Sequence, residues 1–285
     1  MTEANADQIA YWNAGAGETW AAMQERLDHQ LEPLGLKAME ALAPRPGQRI
    51  LDIGCGSGQS TLALAEAVGP SGLALGLDIS RPMLAVAEGR AKTAGLAQTQ
   101  FLEADAQTYD FEPQSFDGVL SRFGVMFFAD PTAAFQNIRK ALKPGGKLSF
   151  VCWRTPAENL FMSLPTRAVA HLLPPSQPQD PHAPGPFAFA DGDRLKGILE
   201  AAGFSAVTLT PHDQKIGSGN LEQSLATTLK IGPLGAVLRE NPDRREAVID
   251  AVRAALEAHD GPDGVKILSA SWMVSAQARD PGWQF

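Results

Sequence analysis

The sequence predicts an α/β fold built on a seven-stranded, mostly parallel sheet with helices on both faces. Residues 49–80 have the pattern of a strand, a glycine loop, a helix and a second strand that ends on an acid. Short apolar runs then alternate with helical segments as far as residue 153, which is typical of parallel sheets built from β-α-β units. A proline-rich stretch and more helical segments follow. We therefore expect a Rossmann-like sheet with a helical, proline-rich lid.

The composition argues against several classes of function. The chain has 285 residues, 44% hydrophobic and 20% charged, which is ordinary for a globular protein with one large domain. Its net charge of −8 argues against nucleic acid as a partner, and no apolar run approaches the roughly 20 residues that span a bilayer. The N-terminus does not read as a signal peptide, and Cys55 and Cys152 offer neither a disulfide framework nor metal-ligand spacing. We expect a cytoplasmic protein without a bound metal; its oligomeric state stays open.

Residues 1–43 are predicted to be helical, with one segment over 6–17, apolar residues at helical spacing from Trp20 through Met23 to Leu27, and a second helix over 34–43. Two aromatic residues of this region, Tyr11 and Trp20, have two interpretations. They pack on the core, as aromatic side chains at helical spacing usually do, or they belong to a flap that covers a bound ligand. On the second interpretation, both side chains contact the ligand.

The segment from Arg49 to Ser80 is the part of the sequence that predicts a ligand. Gly54, Gly56 and Gly58 alternate after the first strand, and glycines let the backbone approach a ligand closely. The amide groups at the start of the following helix point toward the same place. Asp78 ends the second strand, where an acid can accept hydrogen bonds from a ribose diol. The segment therefore predicts a nucleoside-binding β-α-β unit.

The loop spacing indicates which nucleoside is bound. A dinucleotide loop has the spacing G-x-G-x-x-G, whereas this one is G-x-G-x-G with Asp52 two residues before its first glycine. A carboxylate there would repel a pyrophosphate and attract an α-amino group. An NAD-dependent oxidoreductase is therefore the disfavoured alternative.

The run D-I-G-C-G-S-G, with an acid downstream, resembles motif I and the ribose acid of class I S-adenosylmethionine (SAM)-dependent methyltransferases. The resemblance implies SAM as the cofactor and S-adenosylhomocysteine as the product. It also implies that the last strand of the sheet is antiparallel and lies between the fifth and the sixth. The cofactor contacts that it implies in this unit are Asp52, Gly54, Cys55, Gly56, Gly58 and Asp78.

Two further segments resemble cofactor-binding parts of these enzymes. Ile79 follows the ribose acid, where the family packs a side chain on the adenine, and Met83 lies on the next helix. The run E-A-D-A follows the third strand. There Asp105 would accept a hydrogen bond from the adenine amine, and the Ala106 amide would donate to a ring nitrogen.

The end of the fourth strand, predicted over 115–121, faces the crevice where open α/β sheets bind ligands. Its continuation, S-R-F-G-V-M-F-F-A-D-P, resembles the segment beside the methyl-transfer site in quinone C-methyltransferase-like enzymes. Ser121 and Arg122 are expected to contact the cofactor, and Phe123 and Met126 to line the substrate pocket unless they are plain core residues.

The second half of the chain is expected to select the methyl acceptor, that is, the molecule that receives the methyl group. Residues 155–190 contain eight prolines and predict a substrate lid. The predicted regions are an N-terminal flap (1–43), a SAM-binding core (44–154), the lid (155–190) and a completion of the sheet (191–285) with a helical insertion over about 218–262. The predicted elements are helices over 132–142, 160–171, 193–202, 221–229 and 242–259, a tight turn over 142–147, and strands over 147–153, 204–216 and 265–276.

The expected reaction is in-line methyl transfer from SAM to O, C or N of a small apolar or aromatic acceptor. The cofactor is already activated, so the protein mainly aligns the reactants, and a base is needed only if the nucleophile arrives protonated. No histidine stands in a catalytic motif, and the catalytic residue stays unknown; His171 and His182 in the predicted lid are the first to test. The alternative is a SAM-binding protein that acts on partners without methyl transfer.

Overall fold

The computed structural model describes residues 5–172, 180–231, 234–235, 238 and 241–279. A seven-stranded sheet in the order β3-β2-β1-β4-β5-β7-β6 organises them. Strands β1 to β5 pair in parallel, and β7 is antiparallel to both of its neighbours. The predicted sheet, including the position of its last strand, is confirmed. The strands are β1 (Arg49–Ile53), β2 (Leu73–Asp78), β3 (Thr99–Glu103), β4 (Phe116–Arg122), β5 (Leu142–Trp153), β6 (Phe204–Ile216) and β7 (Ile267–Ala278).

Helices precede, connect and follow these strands. Short 3-10 turns occur at Val125–Phe127 and Pro242–Arg244. The α-helices of the described residues are α1 (Ala6–Asn13), α2 (Gly15–Ala22), α3 (Gln24–Leu42), α4 (Gln59–Val68), α5 (Arg81–Ala94), α6 (Pro131–Ala141), α7 (Leu160–Val169), α8 (Gly192–Ala201), α9 (Leu221–Lys230) and α10 (Arg245–Glu257).

The N-terminal region differs from the prediction. The helix expected over 34–43 begins ten residues earlier, at Gln24, and it runs through Pro33. A proline inside a helix costs about 3 kcal/mol. Burying one leucine recovers roughly 1.5–3 kcal/mol, and α3 buries a whole apolar face on the core. That face consists of Leu27, Leu31, Leu34, Ala38 and Leu42.

The turn predicted over 142–147 lies inside a strand. Leu142 pairs with Phe116, and the register then shifts so that Lys147 pairs with Gly118. Gly145, with φ at +71°, lies within the resulting bulge. The predicted turn over 142–147 was therefore wrong, because these residues form a bulge within β5, which begins at Leu142 and not at Lys147.

Two apolar clusters support the fold. The main one fills the space between the sheet and the helices beside it. The second joins α7, α9 and α10 to the start of β7 through residues such as Val169, Leu225, Val252 and Ile267. Phe161 on α7 packs against both clusters, so α7 connects the helical insertion to the sheet. No helix in the part of the chain described is long and apolar enough to cross a membrane.

Candidate functional site

The loops after β1 and β4 meet at the carboxyl edge of the sheet. A Cβ on Gly54 would lie 2.5 Å from Cα of Gly124, so this contact is backbone against backbone. A Cβ on Gly58 would lie 2.7 Å from Cβ of Ala87 on α5. Gly56 is different, because its Cβ would meet only Sδ of Met83, at 3.7 Å. Two of the three loop glycines therefore serve close packing within the protein, and Gly56 has the more open surroundings.

The side chain of Cys55 points into the protein. A Cβ on Gly76 in β2 would lie 2.9 Å from Sγ of Cys55, and the thiol is buried. Burial raises the pKa of the Cys55 thiol well above its usual range. The side chain therefore packs beneath the loop, and only the backbone of Cys55 is left to contact a ligand.

Asp78 ends β2 with its carboxylate held from two sides. The Gly56 amide donates to Oδ2 at 2.7 Å, and the Ser80 amide donates to Oδ1 at 2.8 Å. Burial raises the pKa of this carboxyl, opposed by these backbone donors. A carboxylate has about four acceptor positions. Each oxygen therefore keeps an acceptor position for the two hydroxyls of a diol.

Asp52 is fully buried at the end of β1. The hydroxyls of Ser60 and Thr61 donate to Oδ2 at 2.7 and 2.6 Å, whereas Oδ1 has no partner in the described residues. The pKa of Asp52 is raised to about 6, chiefly by burial and also by the charge of Asp78, against the lowering effect of the two hydroxyl donors and of the Arg122 charge. An unsatisfied buried oxygen is costly. A positively charged donor beside the loop would relieve that cost.

The pH dependence of SAM binding tests this carboxylate. With a pKa of about 6, the ionised fraction of Asp52 falls about fivefold between pH 6 and pH 5. If Asp52 receives the ammonium group of SAM, as the sequence predicts, we therefore expect SAM affinity to fall by up to about fivefold over the same range. Asp52→Asn should bind SAM more weakly at pH 7 and lose most of this pH dependence. Calorimetric titration across pH 5–7 measures both. A wild-type affinity that does not change across this range would contradict the assignment.

The same shift has the opposite effect on the stability of the unliganded fold. The pKa of Asp52 is higher in the folded protein than in the unfolded chain. The contribution of Asp52 to the free energy of unfolding is therefore fully present below about pH 4 and is lost as the pH rises through about 6.

Asp105 and Ala106 follow β3 at the same edge. The Gln107 amide donates to Oδ1 of Asp105 at 2.9 Å, and Nδ2 of Asn5 donates to Oδ2 at 2.7 Å. The amide of Ala106 donates to no group among the described residues. A carboxylate beside a free amide presents an acceptor and a donor side by side, which matches the amine and the ring nitrogen of adenine.

The side chain of Ser121 is held by contacts within the protein, and its predicted contact with the cofactor stays a prediction. Its hydroxyl is fully buried, donates to the Ile53 carbonyl at 2.8 Å and accepts from the Gly124 amide at 3.2 Å. The side chain therefore joins the ends of β1 and β4 and supports the loop contact. Any ligand contact at Ser121 would have to involve its backbone.

Arg122 lies in a charged network that the sequence did not reveal. Its guanidinium pairs with Asp28 of α3 at 3.3 Å and donates to Gln59 at the start of α4. Asp28 also pairs with Arg90 of α5 at 3.0 Å, and a Cβ on Gly35 would lie 2.9 Å from Cδ of Arg122. One acid thus balances two arginines beside the glycine loop. Within this network the arginines exceed the acid by one positive charge, and the charge of Arg122 also acts on the buried Asp52.

The wall beyond β4 is aromatic. Phe123 stacks on Trp153 with ring centroids 4.0 Å apart, and Trp153 lies 6.3 Å from Phe161 of α7. Phe123 adopts a φ of +61°, an unusual conformation for a bulky residue. Phe123 and Trp153 are 8% and 6% exposed and belong to the main core, and so does Met126, which is 2% exposed. Its carbonyl accepts from the Gly185 amide at 3.0 Å, so part of the proline-rich segment is anchored on this wall.

The N-terminal helices lie over the loop that follows β2. Ser80 donates its hydroxyl to the Trp12 carbonyl at 2.8 Å. The Trp12 ring makes edge contacts with Tyr11, Trp20 and Phe127 at centroid distances of 5.2–5.5 Å. Trp20 packs on the core, whereas Tyr11 is 55% exposed. Trp12, which the sequence did not single out, is the centre of this contact.

The two histidines proposed for catalysis are both exposed. His171 follows α7 and His182 lies in the segment before α8, and neither ring contacts a partner among the described residues. A catalytic role for either stays a prediction. The described residues contain no group of histidine, cysteine, aspartate and glutamate side chains that could hold a metal.

Comparison with known proteins identifies the family. The family described as "Methyltransferase domain" matches residues 50–146. The demethylmenaquinone methyltransferase of Staphylococcus carnosus is 32% identical over 181 residues, covering 60% of this chain and 73% of the relative. The chain belongs to the class I SAM-dependent methyltransferases. It resembles their quinone methyltransferase subgroup. The demethylmenaquinone methyltransferase of Bacillus cytotoxicus is 37% identical over 119 residues, which cover 42% of this chain and 49% of that relative.

Solved structures share the fold of this methyltransferase. The YcgJ protein of Bacillus subtilis superposes with a TM-score of 0.58 at 19% identity, covering 87% of this chain and 99% of that one. A phosphoethanolamine N-methyltransferase of Haemonchus contortus, in complex with SAM, superposes with a TM-score of 0.54 at 21% identity, covering 87% and 53%. These structures show that the methyltransferase has the Rossmann-like sheet of the class. Its use of SAM as the cofactor follows from the family to which it belongs.

Proposed function

We propose that this methyltransferase moves the methyl group of SAM to a small, planar aromatic acceptor. The observation that carries the proposal is the stack of Phe123, Trp153 and Phe161, which joins the ends of β4 and β5 to α7. Flat aromatic side chains bind flat rings by offset stacking and edge contacts. The relatives from two bacterial genera named above are methyltransferases of demethylmenaquinone, a quinone, which supports the same class of acceptor.

The cofactor contacts follow from the polar groups of the crevice. In this proposal Asp105 and the Ala106 amide bind the adenine, Asp78 binds the ribose hydroxyls, and Asp52 attracts the ammonium group. Arg122 offers the excess positive charge of its network to the carboxylate of SAM. The free acceptor positions and the unpartnered Asp52 oxygen support this arrangement. Further contacts come from the backbone of Gly54, Cys55, Gly56, Gly58 and Ser121 and from Ile79, Met83, Tyr11 and Trp20.

The proposed mechanism rests on alignment. SAM supplies an activated methyl group to the acceptor, and the acceptor atom must approach opposite the sulfur. Phe123 and Trp153 would hold the acceptor ring in that line, and the apolar wall would exclude water. We assign no general base. Reduced quinones and phenols carry ionisable hydroxyls, so an acceptor of this class can supply its own anionic nucleophile.

Two regions would roof the pocket. The first is the proposed N-terminal flap (1–43), whose described part, from residue 5 onward, lies against the loop after β2 through the contact of Trp12 with Ser80. The proposed lid (155–190) contains α7, whose Phe161 packs against both apolar clusters. Its last part is anchored by the Gly185 amide and by Phe189, which is 1% exposed. The proposed lid residues 173–179 lie outside the described residues.

Replacement of Trp153 tests the acceptor site. We expect Trp153→Ala to raise KM for an aromatic acceptor at least tenfold, because it removes the middle ring of the stack, while Trp153→Phe retains most activity. SAM affinity should change less than threefold. The assay is formation of S-adenosylhomocysteine with a reduced naphthoquinone and a substituted phenol as acceptors.

The matched control is Trp272→Ala. Trp272 pairs in register with Cys152, so it lies on the opposite face of the sheet from Trp153, and its ring contacts Arg154 instead. Its replacement should leave KM for the acceptor unchanged. Equal effects of both tryptophan variants, or turnover only with aliphatic amines, would contradict an aromatic acceptor site.

A further inference from the structure

Asn5 occupies an unusual position at the start of α1. It is the residue before the first turn, where asparagine ordinarily accepts a hydrogen bond from an amide of its own helix. Here its side chain caps no helix amide. The residue is 8% exposed and holds a φ of +59°, a conformation that asparagine tolerates better than most residues. Its buried amide group therefore serves contacts elsewhere.

Those contacts join three separate parts of the chain. Nδ2 of Asn5 donates to Oδ2 of Asp105 at 2.7 Å and, less closely, to Oε1 of Gln107 at 3.4 Å. Oδ1 of Asn5 accepts from the Ala129 amide at 2.6 Å. Gln107 joins the same two segments a second time, because its Oε1 also accepts a hydrogen bond from the Asp130 amide at 3.0 Å. Asn5 thus lies between the loop after β3 and the segment that follows the reaction wall.

We propose that Asn5 is a positioning residue that fixes the carboxylate of Asp105 for adenine. The proposal rests on the adenine-binding role of Asp105 proposed above. The Gln107 amide holds one oxygen of this carboxylate and Asn5 holds the other, so the group cannot rotate freely about its terminal bond. An acceptor held in one direction discriminates between ligands better than one that turns to meet each of them.

The base of the cofactor gives this role a specific readout. Adenine presents an amine donor and a ring-nitrogen acceptor, which match the Asp105 carboxylate and the Ala106 amide. Hypoxanthine presents an oxygen and a ring N–H at the same positions, so acceptor would face acceptor and donor would face donor. A fixed carboxylate rejects hypoxanthine strongly. A carboxylate that can rotate away rejects it less.

The experiment compares binding of S-adenosylhomocysteine and S-inosylhomocysteine by calorimetry. We expect the wild-type protein to prefer the adenine ligand by about 100-fold. Asn5→Gly removes the amide and keeps the positive φ without strain. It should lower this preference by about tenfold, because a carboxylate that can rotate holds the adenine amine less well and rejects hypoxanthine less strongly. Asp105→Ala should lower the preference further.

Asn13→Ala is the matched control, because it removes a contact that holds α1 in place without removing the contact with Asp105. Asn13 ends α1, donates to the Ile79 carbonyl at 2.7 Å and accepts from the Arg81 amide at 3.0 Å. It therefore holds the same helix but does not touch Asp105. Its replacement should weaken both ligands by a similar factor and leave the preference for adenine unchanged.

The outcomes distinguish the adenine-binding role of Asp105 from the positioning role of Asn5. A preference that survives Asp105→Ala would overturn the adenine-binding role of Asp105, and with it the proposed cofactor contacts. A preference lost in Asp105→Ala but intact in Asn5→Gly would overturn only the positioning role of Asn5. Tighter adenine binding by Asn5→Gly would also overturn it, since Asn5 would then compete with the base.

Discussion

Gly54→Ala is expected to lower the free energy of unfolding by roughly 2–5 kcal/mol and to abolish detectable SAM binding. Two effects add at this position. The residue has a φ of +66°, which costs an alanine about 1–2 kcal/mol. The added Cβ would also lie 2.5 Å from Cα of Gly124, where neither backbone can yield without separating the loops after β1 and β4. Chemical denaturation followed by circular dichroism, with calorimetry of SAM, measures both losses.

Gly95→Ala is the matched control. Gly95 ends α5 with a φ of +67°, nearly the same as Gly54, but a Cβ there would meet nothing within 4 Å. This variant should show only the conformational cost and bind SAM normally. Equal destabilisation by the two substitutions would mean that the contact between Gly54 and Gly124 does not matter.

Asp78→Ala is expected to weaken SAM binding by about 1–3 kcal/mol, or roughly 5- to 150-fold. The substitution leaves the ribose hydroxyls without acceptors, and it also leaves the Gly56 and Ser80 amides without theirs. Asp78→Asn should fall between wild type and alanine, because one oxygen is kept. Calorimetry gives the affinities, and thermal unfolding shows whether each variant is folded.

Glu103→Ala controls for the loss of a carboxylate at the same edge. Glu103 pairs in register with Asp78 on the neighbouring strand, but its side chain is exposed and contacts Arg81. Its removal should change SAM affinity less than twofold. An unchanged affinity in Asp78→Ala would mean that the ribose site lies elsewhere.

The sequence predicts the strands and the glycine loop well because their signals are local. Residues 49–80 carry the strand, the loop, the helix and the acid within one contiguous segment, and the structure has β1, α4 and β2 there. The start of α3 was predicted wrongly, because the burial that offsets the cost of Pro33 comes from residues of the distant core. The helix propensities of the local residues do not include the stability gained from that burial.

The site residues that were missed have partners far away in sequence. Asn5 meets Asp105 after 100 positions, and Asp28 meets Arg122 after 94. No spacing motif records such pairs, since they exist only once the sheet brings the loops together. The role of Ser121 was equally hidden, because its buried bond to the Ile53 carbonyl spans 68 positions.

A calorimetric titration of the wild-type protein with S-adenosylhomocysteine, and separately with NAD, tests the central claim most directly. The loop after β1, with Asp52 unpartnered at one oxygen and Asp78 at the end of β2, predicts saturable binding of the adenosyl ligand at one site and no detectable binding of NAD. Binding of NAD at comparable affinity, or no binding of S-adenosylhomocysteine at high micromolar concentration, would contradict it.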